Sequence, residues 1–110
     1  MSANFDEVII DIEKIRDYCL NLDHTIGKHK AVVFKNKLGF TSDNAEELKK
    51  LILEKIKFSQ AQRSLSDEYG ERYYIDIIIT RFNNTETVRT LWILKRNESV
   101  PRFVSCYIKN

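Results

Sequence analysis

The spacing of apolar residues changes from a period near 3.6 to a period of 2 after Ser64, and this change most constrains the fold. Upstream of it, the apolar residues recur at helical intervals. Downstream, Tyr73 to Thr80, Thr87 to Lys95 and Arg102 to Ile108 are rich in β-branched and aromatic residues, as strands are. Short connections between successive strands predict an antiparallel meander. The sequence therefore predicts an α+β fold, with about three N-terminal helices packed on a three- to four-stranded antiparallel sheet.

Apolar spacing and end signals predict where the helices lie. The first is expected from Ile12 to about Leu22, after a short edge strand at residues 7–11. The second is expected from near Thr25 to Gly39, because glycine commonly ends a helix. The third follows the capping residues around Asp43 and is expected to reach about Gln62.

Length and composition indicate one ordered domain over residues 1–110. The chain is 43% hydrophobic with three glycines and one proline, whereas disordered chains contain fewer large apolar residues. It has no repeat or linker, and no stretch approaches the roughly 20 apolar residues that a membrane helix needs. The acidic N-terminus lacks the layout of a signal peptide. We therefore expect a soluble, cytoplasmic protein that does not enter a membrane.

The two cysteines are separated by most of the chain. Cys19 and Cys106 form no C-x-x-C pair, and with only two histidines the chain lacks the ligand spacing of a structural zinc site. We expect no metal and no cofactor. Both cysteines lie among apolar residues, which favours buried free thiols over a disulfide and fits a reducing compartment.

Charge is distributed unevenly although the net charge is only +2. Residues 1–23 carry six acids and two bases, whereas residues 24–40 carry four lysines and no acid. His24 and His29 lie at the start of this basic segment. A basic helix entry can bind a phosphate through free backbone N–H groups and nearby cations. The alternative is that these lysines form an ordinary solvated helix face.

Alternation along the predicted strands suggests a second, partly polar sheet face. If the helices cover the most aliphatic side, the residues left on the other side are Asp76, Thr90, Trp92, Ser105 and Tyr107. Polar and aromatic side chains together are what a nucleotide-stacking surface needs. An ordinary half-exposed antiparallel sheet has the same composition.

Four motifs occur along the chain in a fixed order. They are D-H-T-I-G-K-H-K-A-V-V-F-x-x-x-L-G-F, E-Y-G-x-R-Y, V-R-T-L-W-I and P-R-F-V-S-C-Y. The set resembles a family of small bacterial proteins and toxin-associated domains of unknown function, with the pattern H-P-x-G-x-x-K-A-x-F-F, Y-G-x-x-Y, V-R-T-x-W and P-x-L-V-T-A-Y. The chain departs from it at Thr25, which replaces proline, and at Ser105-Cys106-Tyr107-Ile108, which replaces T-A-Y-P. In layout the family is similar to the barnase–EndoU–colicin–RelE class of metal-independent ribonucleases.

The resemblance implies a site assembled from the helix entry and the sheet. The implied catalytic residues are His24, Lys30, Thr90 and Tyr107. The implied substrate-binding residues are Lys28, Arg89, Trp92, Arg102 and Ser105. In such a mechanism His24 transfers a proton, the cations stabilise the phosphorane, and Trp92 stacks on a base.

Each of these residues also has a structural interpretation. His24 can be a capping or surface histidine, Trp92 a core residue, and Arg89 the partner of an acid on the sheet. Tyr107 can simply seal the edge of the core, and His29 falls on no motif position and is expected at the surface.

The resemblance thus implies a metal-independent RNase-like toxin or defence domain that cleaves RNA by 2′-hydroxyl attack. The alternatives are a non-catalytic RNA- or protein-binding module and an immunity or antitoxin protein that partners a nuclease. Expected partners are RNA and an inhibitor or antitoxin protein. The chain lacks a G-x-S-x-G motif and a carboxylate cluster at ligand spacing, which disfavours a nucleophilic hydrolase and a metal nuclease.

Overall fold

The computed structural model describes residues 4–25 and 28–109, and it has the predicted α+β architecture, with helices preceding strands. The helices are α1 (Ile12–Lys14, continued by a π-helical turn, Ile15–Cys19), α2 (Lys28–Leu38) and α3 (Ala45–Lys55), with 3₁₀ turns at Ser42–Asn44 and Ile56–Phe58. The strands are β1 (Gln62–Asp67), β2 (Gly70–Arg81), β3 (Asn84–Lys95) and β4 (Arg102–Ile108). They form one antiparallel sheet in the order β1-β2-β3-β4. No helix in the described part of the chain is long and apolar enough to span a bilayer.

Strand β1 lies where the sequence predicted the end of the third helix. The helix ends at Lys55, and Gln62–Asp67 pairs antiparallel with β2 across an irregular register. All but the last of its residues are exposed, so it carries no apolar alternation that would mark it as a strand. The long neighbouring strand β2 supplies the pairing instead.

The first helix is shorter than its apolar spacing predicted. It ends at Cys19 rather than Leu22, and its last five residues are π-helical, with the Leu20 amide donating to the Ile15 carbonyl. The expected edge strand at residues 7–11 is a single parallel bridge between Ile9 and Arg102. The predicted start of α2 includes Ile26, which lies outside the described residues.

One face of the sheet packs against the helices and is called the inner face here. Its residues are all buried: Tyr73, Ile75, Ile77, Ile79, Val88, Thr90, Trp92, Phe103, Cys106 and Ile108. The helices contribute side chains such as Ile15, Phe34 and Leu48 to the same core. Burial of these large apolar groups is the main source of stability.

The turn between β2 and β3 decides which residues face inward. Phe82 and Asn83 both have positive φ, at 52° and 68°, as a two-residue type I′ hairpin loop requires. Asp76 therefore pairs directly with Arg89, and Ile75 with Thr90. Because paired residues share a face, the inward Ile75 carries Thr90 inward with it.

The predicted second face is therefore wrong in part. Thr90 and Trp92 lie on the inner face, whereas Asp76 and Tyr107 lie on the opposite side as expected. The aliphatic appearance of Leu91 was misleading, because strand register depends on the turn and overrides side-chain composition. Thr90 is accommodated because its hydroxyl donates to the Ile75 carbonyl at 2.7 Å and accepts from Trp92 Nε1 at 2.8 Å.

The outer edge of β4 is covered by the N-terminal segment. The Phe103 amide donates to the Ile9 carbonyl at 2.8 Å, and the Ile9 amide donates to the Pro101 carbonyl at 2.9 Å. Farther along, the Cys106 amide donates to Cys19 Sγ at 3.3 Å. These contacts satisfy edge groups that would otherwise be open to pairing with another chain.

Arg81 links the β2–β3 hairpin to the C-terminal end of α2 and the N-terminal end of α3. Its guanidinium lies 4.3 Å from the centre of the Phe40 ring and 4.5 Å from that of Phe82. It also binds both carboxylate oxygens of Glu47, at 2.8 and 3.0 Å, and donates to the Leu38 carbonyl at 2.7 Å. The planar guanidinium is needed for the ring contacts and the paired hydrogen bonds together.

We expect Arg81→Ala to lower the free energy of unfolding by about 2–3 kcal/mol, because it removes charge-assisted hydrogen bonds and ring contacts together. The control is Arg63→Ala, which removes a more exposed ion pair with Glu71 and should stay within about 0.5 kcal/mol of wild type. Urea unfolding followed by circular dichroism measures both. Equal decreases in the free energy of unfolding of the two variants would contradict the role of Arg81 in linking the hairpin to the helices.

Candidate functional site

Within the described residues, no helix packs on the second side of the sheet, which is called the outer face here. It is defined by Tyr74 and Asp76 on β2, Arg89 on β3, and Tyr107 and Lys109 at the end of β4. Asp76, Arg89 and Tyr107 lie side by side across three strands, because the ladders pair Asp76 with Arg89 and Arg89 with Tyr107. The first four of these residues are half-buried and Lys109 is exposed.

Arg89 is the central group of the outer face. Its Nε and Nη2 donate to the two carboxylate oxygens of Asp76 at 2.8 and 3.0 Å. Its guanidinium carbon also lies 4.1 Å from the centre of the Tyr74 ring. The bidentate pair and the ring contact fix the guanidinium in one orientation.

Lys30 reaches this surface from the first turn of α2. Its Nζ lies 4.6 Å from the centre of the Tyr107 ring. Helix α2 packs beside β4, so a residue of the basic segment meets a residue near the end of the chain. The two halves of the site predicted from the sequence are joined at this contact.

The outer face carries an excess of positive charge. Lys30, Arg89 and Lys109 contribute three cations, and Asp76 contributes one carboxylate, which Lys109 Nζ approaches to 3.7 Å. The hydrogen bond from Arg89 is the main reason that the pKa of Asp76 is lowered, while burial opposes it and Lys109 adds to it. The same hydrogen bond raises the pKa of Arg89, as does its interaction with Tyr107. The carboxylate and the guanidinium are therefore both charged at neutral pH, and the surplus favours an anionic ligand.

His24 and Lys28 lie at the entry to α2. The His24 ring packs edge-on against the Tyr18 ring, with ring centres 4.6 Å apart. The backbone carbonyl of His24 accepts a hydrogen bond from the Lys28 amide at 3.0 Å. Lys28 is exposed, and so is His29, as predicted. Gly27, which matches the family motif, lies outside the described residues.

The other predicted site residues do not lie on the outer face as ligand-binding groups. Trp92 is 1% exposed and packs between Phe5 and Phe103, so it cannot stack on a base in this structure. Thr90 is buried beside it. Ser105 is also buried, with its hydroxyl 3.5 Å from Cys19 Sγ, and Arg102 forms a bidentate ion pair with Glu98.

Sequence reasoning missed Tyr74 and Lys109. Its structural interpretation of Arg89 as the partner of an acid on the sheet is confirmed, although it did not identify that acid as Asp76. The missing information was the position of the turn. A turn at Asn83-Asn84, as predicted, would place Asp76 opposite Leu91, whereas the turn at Phe82 and Asn83 places it opposite Arg89. The opposite charges of Asp76 and Arg89 could have indicated that they pair, because oppositely charged cross-strand pairs are favoured.

The chain matches one protein family over nearly its whole length. Residues 2–110 match the family described as "Domain of unknown function (DUF6883)". No curated protein matches the sequence, and no solved structure matches it.

We expect the Asp76–Arg89 pair to stabilise the fold by about 0.5–1 kcal/mol at neutral pH, since both side chains are partly exposed. Because the pKa of Asp76 is lower in the folded state than in the unfolded state, this stabilisation is present above about pH 4 and is lost as pH falls through the folded pKa. Asp76→Asn should therefore be less stable than wild type at pH 7 and nearly equal to it at the lowest pH. Urea titrations between about pH 2 and pH 7 measure the difference.

Arg89→Gln serves as the second variant for this titration, because it removes the same hydrogen bonds from the other side. Its deficit relative to wild type should also shrink in acid. A deficit in Asp76→Asn that is the same at every pH would contradict an origin in the ionised carboxylate.

Proposed function

The chain belongs to the DUF6883 family, and we propose that it binds single-stranded RNA on the outer face of its sheet. The observation that carries the proposal is the contact of Lys30 with the Tyr107 ring beside the Arg89–Tyr74 contact. Two half-exposed aromatic rings, each next to a cation, lie on a sheet face that no helix covers in the described part of the chain.

Aromatic rings and cations serve different parts of a nucleotide. Bases stack on the rings, and phosphates attract the cations. Tyr74 and Tyr107 lie two strands and two residues apart, which is roughly 12 Å from the strand spacing and the rise per residue. That separation is too large for one base to contact both rings and suits two nucleotides of an extended strand. Double-stranded RNA would not offer its bases for stacking.

Helix α2 extends the basic surface beyond the sheet. Lys28, Lys35 and Lys37 are exposed on the same helix as Lys30, and residues 24–40 contain no acid. Lys37 lies seven residues after Lys30 on the same side of α2, so a strand that leaves Tyr107 along that side would pass it. RNA affinity would therefore depend strongly on salt, because each phosphate contact releases a counterion.

We expect Tyr107→Ala to weaken binding of a fluorescent single-stranded RNA by about tenfold, since stacking is worth about 1–3 kcal/mol per base. Lys30→Ala should weaken binding and lower the slope of log K against log salt by about 0.7, the value for one phosphate contact on a single strand. Fluorescence anisotropy across a salt series measures both effects.

The chain provides matched controls for these two variants. Tyr69, which is 65% exposed in the β1–β2 turn, controls for loss of a surface tyrosine, and Lys50 on α3 controls for loss of a surface lysine. Wild-type affinity in Tyr69→Ala and Lys50→Ala is expected. No RNA binding by wild type, or equal losses in the controls, would refute the proposal.

The contact of Lys30 with Tyr107 also favours a second candidate, metal-independent RNA cleavage of the kind carried out by toxin ribonucleases. In this candidate His24 transfers the proton of the 2′-hydroxyl or of the 5′-oxygen. Lys30 and Arg89 would stabilise charge on the phosphorane, with Lys28 at the helix entry. Thr90, Trp92 and Ser105 are left out of the candidate because they are buried. A toxin of this kind would be paired with an inhibitor or antitoxin protein.

If the protein cleaves RNA, product should form in EDTA, and His24→Ala or Lys30→Ala should lower the rate at least a hundredfold, within the range for loss of proton transfer or charge stabilisation. His29→Ala is the control, because His29 is an exposed histidine on α2, the helix that carries Lys30. Gel analysis of labelled RNA measures the rate, and circular dichroism confirms that each variant is folded. Binding without product would retain the RNA-binding proposal and remove the catalytic one.

A further inference from the structure

Two cysteines that are far apart in sequence meet inside the protein. Cys19 Sγ accepts a hydrogen bond from the backbone N of Cys106 at 3.3 Å and lies 3.5 Å from the Ser105 hydroxyl. Cys19 is 1% exposed and Cys106 is fully buried. Both are free thiols, as the sequence predicted.

The two sulfurs have different surroundings, and these shift the pKa values of the two thiols in opposite directions. Hydrogen bonds from the Cys106 thiol, the Ser105 hydroxyl and the Cys106 amide lower the pKa of Cys19 to about 7, although burial opposes this. The thiol–thiol interaction and burial both raise the pKa of Cys106. Cys19 is therefore the sulfur that carries a thiolate near neutral pH, and the thiolate is the nucleophilic form.

We propose that Cys19 and Cys106 form an oxidation site, which hydrogen peroxide converts into an intramolecular disulfide. The Cys19 thiolate attacks one peroxide oxygen, and the departing hydroxide takes a proton to become water. This leaves a sulfenic acid on Cys19. Cys106 then attacks the Cys19 sulfur and loses its proton, and the second oxygen leaves as water. Two thiols and one peroxide thus give one disulfide and two waters, with the peroxide reduced by two electrons.

Geometry supports the second step. The backbone amide of Cys106 is already bonded to the Cys19 sulfur, so that sulfur lies beside the Cα to which the Cys106 side chain is attached. The Ser105 hydroxyl, on the residue next to Cys106, lies 3.5 Å from the same sulfur. Since a disulfide requires closely spaced Cα atoms, these contacts favour formation of the bond without a large backbone movement.

Access to the site requires local opening. Cys19 is the last residue of the π-helical turn Ile15–Cys19, which packs against β4, and α1 before it has only three residues. Short helices have little stability of their own. A small oxidant therefore reaches Cys19 when this turn opens, and the reaction proceeds over minutes to hours rather than seconds.

The experiment uses the full-length protein and hydrogen peroxide. After treatment, the protein is denatured and alkylated without reductant, and its intact mass is measured. The expected product is a monomer that takes up no alkyl group and has lost two hydrogen atoms, with a peptide that joins residues 19 and 106. Dithiothreitol should restore both alkylation sites. The oxidised protein should melt at least about 5 °C higher, because the bond closes most of the chain into a loop.

The controls are Cys19→Ser and Cys106→Ser, neither of which can give this product. Two alkylatable thiols after peroxide treatment of wild type would overturn the proposal. So would intermolecular disulfides, or added oxygen on both cysteines in place of a bond. A melting temperature that falls on oxidation would also overturn the proposal, because the bond would then not fit the native fold from which it is inferred. None of these readouts depends on RNA, so the proposal stands apart from the function of the outer face.

Discussion

The two-residue turn at Phe82 and Asn83 determines the arrangement of most of the molecule. It fixes the register of the longest ladder, in which Gly70–Arg81 pairs with Asn84–Lys95. Since side chains alternate strictly along a strand, that register decides at once which residues enter the core and which remain outside. The same register brings Asp76 opposite Arg89 and Ile75 opposite Thr90. One local conformation therefore governs both the packing under the helices and the charge pattern of the outer face.

The sequence predicted the secondary-structure elements better than it predicted the register in which the strands pair. The α+β class and the positions of the long strands could be predicted, because apolar period and β-branched composition are local properties. Strand β1 could not, since its pairing is imposed by β2 and its own residues are exposed. The burial of Thr90 and Trp92 also could not be read from composition. It depends on the length of the turn, because a two-residue loop pairs odd-numbered positions of β2 with even-numbered positions of β3 and so places Thr90 opposite the buried Ile75.

The candidate site likewise contains residues that the sequence identified and residues that only the structure revealed. The sequence identified Lys30, Arg89 and Tyr107, which the structure brings together, because motif positions carried them. It also grouped Trp92 and Ser105 with them, although Trp92 fills the core and Ser105 contacts Cys19. Tyr74 and Lys109 belong to no motif and enter only through the geometry of neighbouring strands. Side chains that act together across a sheet are adjacent in space by virtue of hydrogen-bond register, which a single sequence encodes weakly.

The contact between the N-terminal segment and β4 also bears on how the chain folds. Every strand pairs with its neighbour in sequence, so the sheet can grow by short loop closures from the β2–β3 hairpin. Covering of β4 by Ile9 and Cys19 instead joins the two ends of the chain, and it requires the largest loop closure in the described structure. We therefore expect this closure to form late, after the hairpin. On a ribosome it would wait until β4 has been synthesised, leaving Cys19 uncovered until then.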